Sequence, residues 1–272
     1  DSAQHDKWIL FTVYSAGLSM GVHLLSLLTF PALAIFYYFK KFKKHDFKGV
    51  VIASAAGVGV LLFVQLVVII GIPKVWSFFE MVTVNGLGLP FNSGLVPTVI
   101  LIGGSLVAGL YYAQKNKHAI LQHLFVGATL VVISFSTIGV VVIRANANPP
   151  VNMNAPNDAM RLIPYLNREQ YGERPLLKGP QFNVQPVRTT PPSDRYGRVG
   201  DRYEVVDQRF EMVYESSDKV FFPRMGDNSS SRTGIYKEWL GLNPQQPLPP
   251  GRPNFVDNIN FFLRYQVGWM YW

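Results

Sequence analysis

The sequence predicts a polytopic α-helical membrane bundle of about four spans, followed by a loop-rich α+β extracytoplasmic domain. Three observations predict it. Several uncharged stretches are long enough to cross a bilayer, lysines cluster in the short connections between them, and past Arg144 the composition turns to Pro, Asn, Arg and aromatics.

A bilayer core of about 30 Å needs roughly 20 apolar helical residues. The stretch 50–72 has 23 residues and no charge, 95–113 has 19 with Pro97 in its first turn, and 119–143 has 25 with His123 as its sole ionisable group. A fourth stretch, 8–39, is 32 residues long and broken by Gly17, Gly21 and Pro31. At 1.5 Å per residue it would run about 48 Å, too long for one straight crossing, so a kinked helix, or an interfacial helix leading into a spanning one, is expected. The small residues of SAAGVG at 54–59 and GGSLVAG at 103–109 suit close helix packing in lipid.

Loop charge sets the expected orientation, because Lys and Arg in short loops stay in the cytoplasm. The connection 40–48 carries five Lys and one Asp, 73–93 carries one Lys and one Glu, and 114–118 carries two Lys and no acid. The order is therefore in, out, in, with everything after Arg144 outside.

The net charge of +8 is not a nucleic-acid signature. Residues 1–143 hold nine Lys and no Arg, placed in short loops, and the thirteen Arg of 144–272 are interleaved with thirteen acids. The absence of cysteine excludes disulfides and thiolate metal sites. The expected organisation is a transmembrane region at 1–145, a soluble extracytoplasmic domain at 146–254 and an aromatic membrane-interface segment at 255–272, rich in Phe261, Phe262, Tyr265, Trp269, Tyr271 and Trp272. Within the soluble part, short helices are expected at 158–165 and 234–240, strands at 203–214 and 220–222, and a polyproline-type connector at 245–253. A start at Asp1 and an end inside an aromatic run read as an internal segment of a longer protein.

No phosphate-binding loop, dinucleotide fingerprint, HExxH or GxSxG is present. What remains are polar groups where polarity is expensive. His23 and His123 lie inside apolar stretches, where an ionisable group is either functional or a neutral imidazole bonded to a neighbouring helix, for instance to Gln65. In the loop 73–93, Trp76, Phe78 and Phe79 can seat the chain at the interface while Glu80, Asn85, Asn92 and Ser93 supply polar groups at the mouth of the bundle. Such a loop suits a polyisoprenyl-phosphate headgroup or a sugar, and equally a plain anchoring role. Arg224, in FFPRM at 221–225, can clamp a phosphate or carboxylate or pair with an acid inside the domain.

Several runs resemble a known family: GLSMGVHLLSLLTFPALAIFYYFK at 17–40, VNGLGLPFNSG at 84–94, YLNREQYGERPLLKGP at 165–180, FFPRM at 221–225 and FFLRYQVGWMYW at 261–272. They look like large bacterial polytopic membrane proteins, formerly a domain of unknown function. That family is related to the plexin-type protein O-mannosyltransferases of the C-type glycosyltransferase superfamily. The resemblance implies transfer of mannose from a polyisoprenyl-phosphate donor to Ser or Thr of exported proteins, in the bacterial inner membrane with the C-terminal half periplasmic. It implies membrane lipid, the lipid-linked sugar and exported acceptors as partners, and neither nucleic acid nor a cofactor beyond the donor. The family's acidic Trp-Asp and Gly-Glu run has no match in this sequence, so no residue is carried over as catalytic. The alternative expectation is a non-enzymatic membrane scaffold or secretion-associated protein. A transporter ranks third, because no internal repeat is evident.

Overall fold

The computed structural model describes residues 2–172 and 175–268. The chain forms two compact units, one of Asp1–Gln170 with Tyr196–Glu204 and one of Tyr171–Arg195 with Val205–Trp272.

The first unit is helical. Helix α1 (Ser2–Val22) is followed by a 3-10 turn (Leu24–Leu28), α2 (Thr29–Lys41) and α3 (Phe47–Phe63). A π-helical stretch (Val64–Gly71) leads from α3 into α4 (Ile72–Glu80), and a second one (Met81–Gly86) follows. Then come α5 (Leu95–Lys115), α6 (Ala119–Phe135), α7 (Gly139–Asn146) and α8 (Ala159–Leu166). Among the described residues four stretches are long and apolar enough to cross a membrane: Leu24–Lys41, Phe47–Gly86, Leu95–Lys115 and Ala119–Asn146, with mean hydropathies of 1.2, 2.6, 1.8 and 2.4. The chain is a multi-pass membrane protein whose spanning helices meet lipid.

The stretch 8–39 is broken at His23, which adopts an extended backbone (φ −151°, ψ 115°). Neither Pro31 nor the two glycines is the breaker: Pro31 lies in the first turn of α2, and Gly17 and Gly21 lie within α1. The two halves pack on different partners. A Cβ on Gly17 would lie 1.8 Å from Ser134 Oγ and one on Gly21 2.4 Å from Thr137 Oγ1, so α1 runs along α6 in the same direction in glycine-thin contact. Helix α2 packs antiparallel on α3, with Gly57 against Pro31 and Gly49 against Tyr38. Of the small-residue runs expected at interfaces, Gly57 and Gly109 are closely packed, whereas Gly59, Gly103 and Gly104 face open space.

The expected loop at 73–93 is helical as far as Gly86. A proline in a regular helix collides with the carbonyl four residues earlier. Here the wider π-helical turn precedes Pro73, and the helix continues. Pro73, Trp76, Glu80, Thr83 and Val84 then fall on one buried face. The core of the unit joins Met20, Leu27, Phe30, Val64, Val68, Trp76, Val131 and Phe135 to Leu162 and Leu166 of α8.

The second unit is loop-rich with three two-stranded sheets. Strand β1 (Lys178–Gly179), β2 (Arg188–Thr189), β3 (Ser193–Val199), β4 (Arg202–Arg209), β5 (Met212–Val213) and β6 (Val220–Phe221) pair as β1 with β6, β2 with β5 and β3 with β4. The register sets Lys178 opposite Phe221 and Arg188 opposite Val213. The β3–β4 hairpin turns at Gly200, whose φ of +58° suits a residue without Cβ. Its tip, 196–204, belongs to the first unit. Helices α9 (Ser230–Trp239) and α10 (Phe255–Phe261) complete the second, α10 starting in a capping box of Asn254 and Asp257.

The core of the second unit is Phe182, Met225, Tyr236 and Phe261. Of the aromatics expected at a membrane interface, Phe261 is buried there, Tyr265 stacks on it at 4.9 Å, and Phe262 meets Phe222 edge-on at 5.3 Å. Trp269, Tyr271 and Trp272 lie outside the described residues. Buried Asn258 accepts the backbone N–H groups of Arg224 (2.6 Å) and Met225 (3.0 Å) on Oδ1, tying FFPRM to α10.

A Cβ on Gly57 would lie 2.6 Å from the backbone Cα of Pro31, whereas Gly59 has nothing within 4 Å. Gly57→Leu is therefore expected to destabilise the detergent-solubilised protein by about 1–3 kcal/mol, the usual cost of overpacking. Gly59→Leu should leave the thermal midpoint unchanged, and equal midpoints for the two variants would refute the packing assigned to α2 and α3.

Candidate functional site

Of the residues singled out in 73–93, the polar ones, Glu80, Asn85, Asn92 and Ser93, come together at the end of the long helix that contains α4, while Trp76 is buried in the core and not at an exposed interface, and Phe78 is exposed. Glu80 is fully buried. A buried carboxylate needs donors for both oxygens, and three are in place. Oε2 accepts from Gly94 N–H at 3.0 Å, and Oε1 accepts from Asn92 N–H and from the Tyr203 hydroxyl, the latter at 3.1 Å. The first two donors are backbone groups just ahead of α5, so the carboxylate holds the start of that helix. The close approach needs a glycine at 94, where a Cβ would lie 2.3 Å from Glu80 N. Asn92 takes a left-handed φ of 72°, which Asn tolerates.

Around this centre the side chains engage one another. Asn85 donates from Nδ2 to Tyr203 O and accepts Tyr203 N–H on Oδ1, both at 2.8 Å, so its amide pairs with the hairpin as a neighbouring strand would. Ser93 Oγ donates to Thr83 Oγ1 at 2.9 Å, and Thr83 donates to Phe79 O at 2.9 Å. Phe91 meets Tyr203 edge-on at 5.1 Å and carries the Arg198 guanidinium 4.8 Å from its ring centre.

Arg198 is the second centre. Its Nε lies 3.1 Å from Oδ2 of fully buried Asp158, and its terminal nitrogens donate to Asn157 O (2.9 Å), Asn92 Oδ1 (3.3 Å) and Asn146 Oδ1 (3.4 Å). Asp158 also caps α8, accepting Arg161 N–H on Oδ1 at 2.9 Å. Burial holds the Tyr203 phenol well above its ordinary value, the carboxylates of Asp158 and Glu80 push the same way, and Arg198 opposes them. Tyr203 therefore remains a proton donor to Glu80 throughout the physiological range.

The other expected residues lie elsewhere. His23 marks the break after α1 and accepts Leu25 N–H on Nδ1 at 3.2 Å, a bond to its own turn and not to Gln65. His123 bonds the Ala119 carbonyl one turn back at 2.7 Å. Arg224 belongs to the second unit, stacked 3.9 Å from the Phe222 ring centre and donating to Leu176 O at 3.1 Å. Among the described residues no three or more metal-ligating side chains gather.

Chemically, the cluster closes Glu80 off from solvent and leaves the segment that follows it outside. Leu87 and Leu89 are exposed and, with Gly88 and Pro90, form an apolar turn. Glu80, Asn85, Asn92 and Ser93 thus act as positioning residues for that turn. Tyr203, Arg198 and Asp158 have no local sequence signal, lying 123, 118 and 78 positions from Glu80.

Removing Arg198 leaves Asp158 buried without its counter-charge, which typically costs about 3–5 kcal/mol. Arg198→Ala should lower the thermal midpoint strongly. Gly94→Ala should lower it too, because the clashing atoms are backbone, while Gly86→Ala, with open space around it, should not. A normal midpoint for Arg198→Ala would contradict the role given to the ion pair.

Comparison with known proteins places two parts of the chain. Residues 1–46 match the protein O-mannosyl-transferase TMEM260 N-terminal domain. Residues 172–263 match a family of unknown function, DUF8416. No curated protein and no solved structure matches the chain. At its N-terminal end the chain is therefore similar to a protein O-mannosyl-transferase domain, and through most of its second unit to a family without an assigned activity.

Proposed function

We propose that the chain is part of a membrane glycosyltransferase that moves mannose from a polyisoprenyl-phosphate donor to Ser or Thr hydroxyls of exported proteins. The observation that carries this reading is the match of residues 1–46 to a protein O-mannosyl-transferase domain. In this reading 40–48 and 114–118 face the cytoplasm of a bacterial inner membrane, and 73–93 and the region after Arg144 face the periplasm. A lipid-linked donor presents its phosphate at the membrane surface, which suits a short apolar turn, 87–90, held firmly at the end of a spanning helix. Glu80 orders that turn and is not the general base, because each of its oxygens already accepts a hydrogen bond and neither meets solvent.

One observation favours the alternative of a non-enzymatic membrane scaffold or secretion-associated protein. Glu80, Asn85, Asn92 and Ser93 all spend their polar atoms or backbone N–H groups on other parts of the chain. The two readings differ in an assay of the full protein with polyisoprenyl-phosphate mannose and a Ser/Thr acceptor. The enzyme reading expects transfer, reduced by about 10- to 100-fold in Glu80→Gln and Asn85→Ala, as for residues that orient others. Loss of the general base itself would typically cost about 10²- to 10⁴-fold. Transfer at the parental rate by both variants would remove the loop from the donor site, and no transfer by the parent would leave the scaffold. Orientation is tested separately by single-cysteine labelling in a chain without native cysteine, where position 44 should resist an impermeant reagent in intact cells.

A further inference from the structure

The second unit contains an open cleft of about 1200 Å³, larger than a typical small-molecule pocket. Its walls carry four cations, Lys178, Lys219, Arg224 and Arg232, that pair with no carboxylate among the described residues. The carboxylates on the same walls are occupied: Glu211 lies 3.5 Å from Arg209, and Asp227 accepts Ser229 N–H at 3.0 Å. Tyr214 and Tyr265 add aromatic surface. With Arg209, the described lining carries five cations against two carboxylates, and an anionic ligand relieves the repulsion that this excess of like charge creates.

Two strands that line the cleft, β1 and β5, belong to sheets of only two strands, so each keeps one edge without a strand partner. Backbone donors and acceptors at a free edge recognise an extended chain, while neighbouring side chains select its sequence. A free phosphate would use the cations but neither the strand edges nor most of the volume of the cleft.

We propose that this cleft binds an extended polypeptide segment rich in Asp and Glu, and that this segment is the stretch of the exported acceptor flanking its Ser or Thr. The second half of the statement rests on the glycosyltransferase reading; the first does not, and is tested by binding alone. The probes are fluorescent Ser/Thr peptides with acidic, neutral or basic flanks, titrated against the full protein in detergent. Acidic flanks should bind about 10-fold or more tighter than neutral ones, with the preference shrinking as salt rises from about 50 to about 300 mM. Lys178→Glu and Arg232→Glu change exposed side chains that hold no other group in place. Each should weaken the acidic peptide by about 5-fold and leave the neutral one unaffected.

Equal affinity for acidic and neutral peptides overturns the proposal. So does an acidic preference that both charge reversals leave intact. Inorganic phosphate that displaces the acidic peptide at concentrations where sulfate does not would assign the cleft to a small phosphorylated ligand and also overturn it. Acidic preference without any sugar transfer by the same preparation would keep the cleft's specificity while rejecting the acceptor assignment, so failure of the binding proposal and failure of the enzymatic reading remain distinct.

Discussion

A carboxylate removed from solvent has to be given hydrogen bonds, and Glu80 obtains them from parts of the chain that have no local reason to meet. Gly94 and Asn92 offer backbone N–H groups from just ahead of α5, and Tyr203 offers its hydroxyl from the hairpin tip. Much of the first unit follows from satisfying that one group. The helix containing α4 must run far enough to bring Glu80 to the start of α5, the chain must turn back tightly enough for Gly94 to touch the Glu80 backbone, and the tip must stay with the first unit. Arg198 secures the same tip through Asp158, Asn157, Asn92 and Asn146. The closeness of these charged and polar groups makes the arrangement costly to leave half-formed, since each partner that is lost strands another in a dry setting.

The spanning helices were legible because length and apolarity are properties of a segment by itself. The π-helical passage through Pro73 was not, since proline, glycine and asparagine within twenty residues read as a loop unless the buried spacing of Trp76, Glu80 and Thr83 is set against a helical period. Glu80 was singled out as the one carboxylate of an outward loop, and its neighbours Asn85, Asn92 and Ser93 do gather around the same turn. Its engagement has no local signal, because Tyr203 lies 123 positions away and Arg198 is one of thirteen arginines in its half of the chain. Strand β3, SDRYGRV, has no apolar alternation, and its pairing with β4 comes from the Gly200 turn. Phe261, Phe262 and Tyr265 also pack on one another and on the rings of Tyr236 and Phe222, partners that composition alone does not identify.

For function, the consequence is a division of labour between rigid support and an exposed edge. Ordered hydrogen bonding at 80–94 fixes an apolar turn without spending an accessible carboxylate, so chemistry at that turn must draw its acid and base from other residues. The second unit has its own character, a small aromatic core and an open cleft whose described lining holds more cations than carboxylates. In the proposed reading the fixed turn at 87–90 meets the lipid-linked donor, and the cationic cleft of the second unit meets the acceptor.

The central claim, that Glu80 and Tyr203 act as one unit, is tested most directly by a double-mutant cycle on thermodynamic stability with Glu80→Ala, Tyr203→Phe and the pair. Residues in direct hydrogen-bond contact couple by about 0.5–3 kcal/mol. The account predicts that Tyr203→Phe costs clearly less once Glu80 is alanine. Single-variant losses that add in the double variant within about 0.3–0.5 kcal/mol, the range for independent sites, would contradict it.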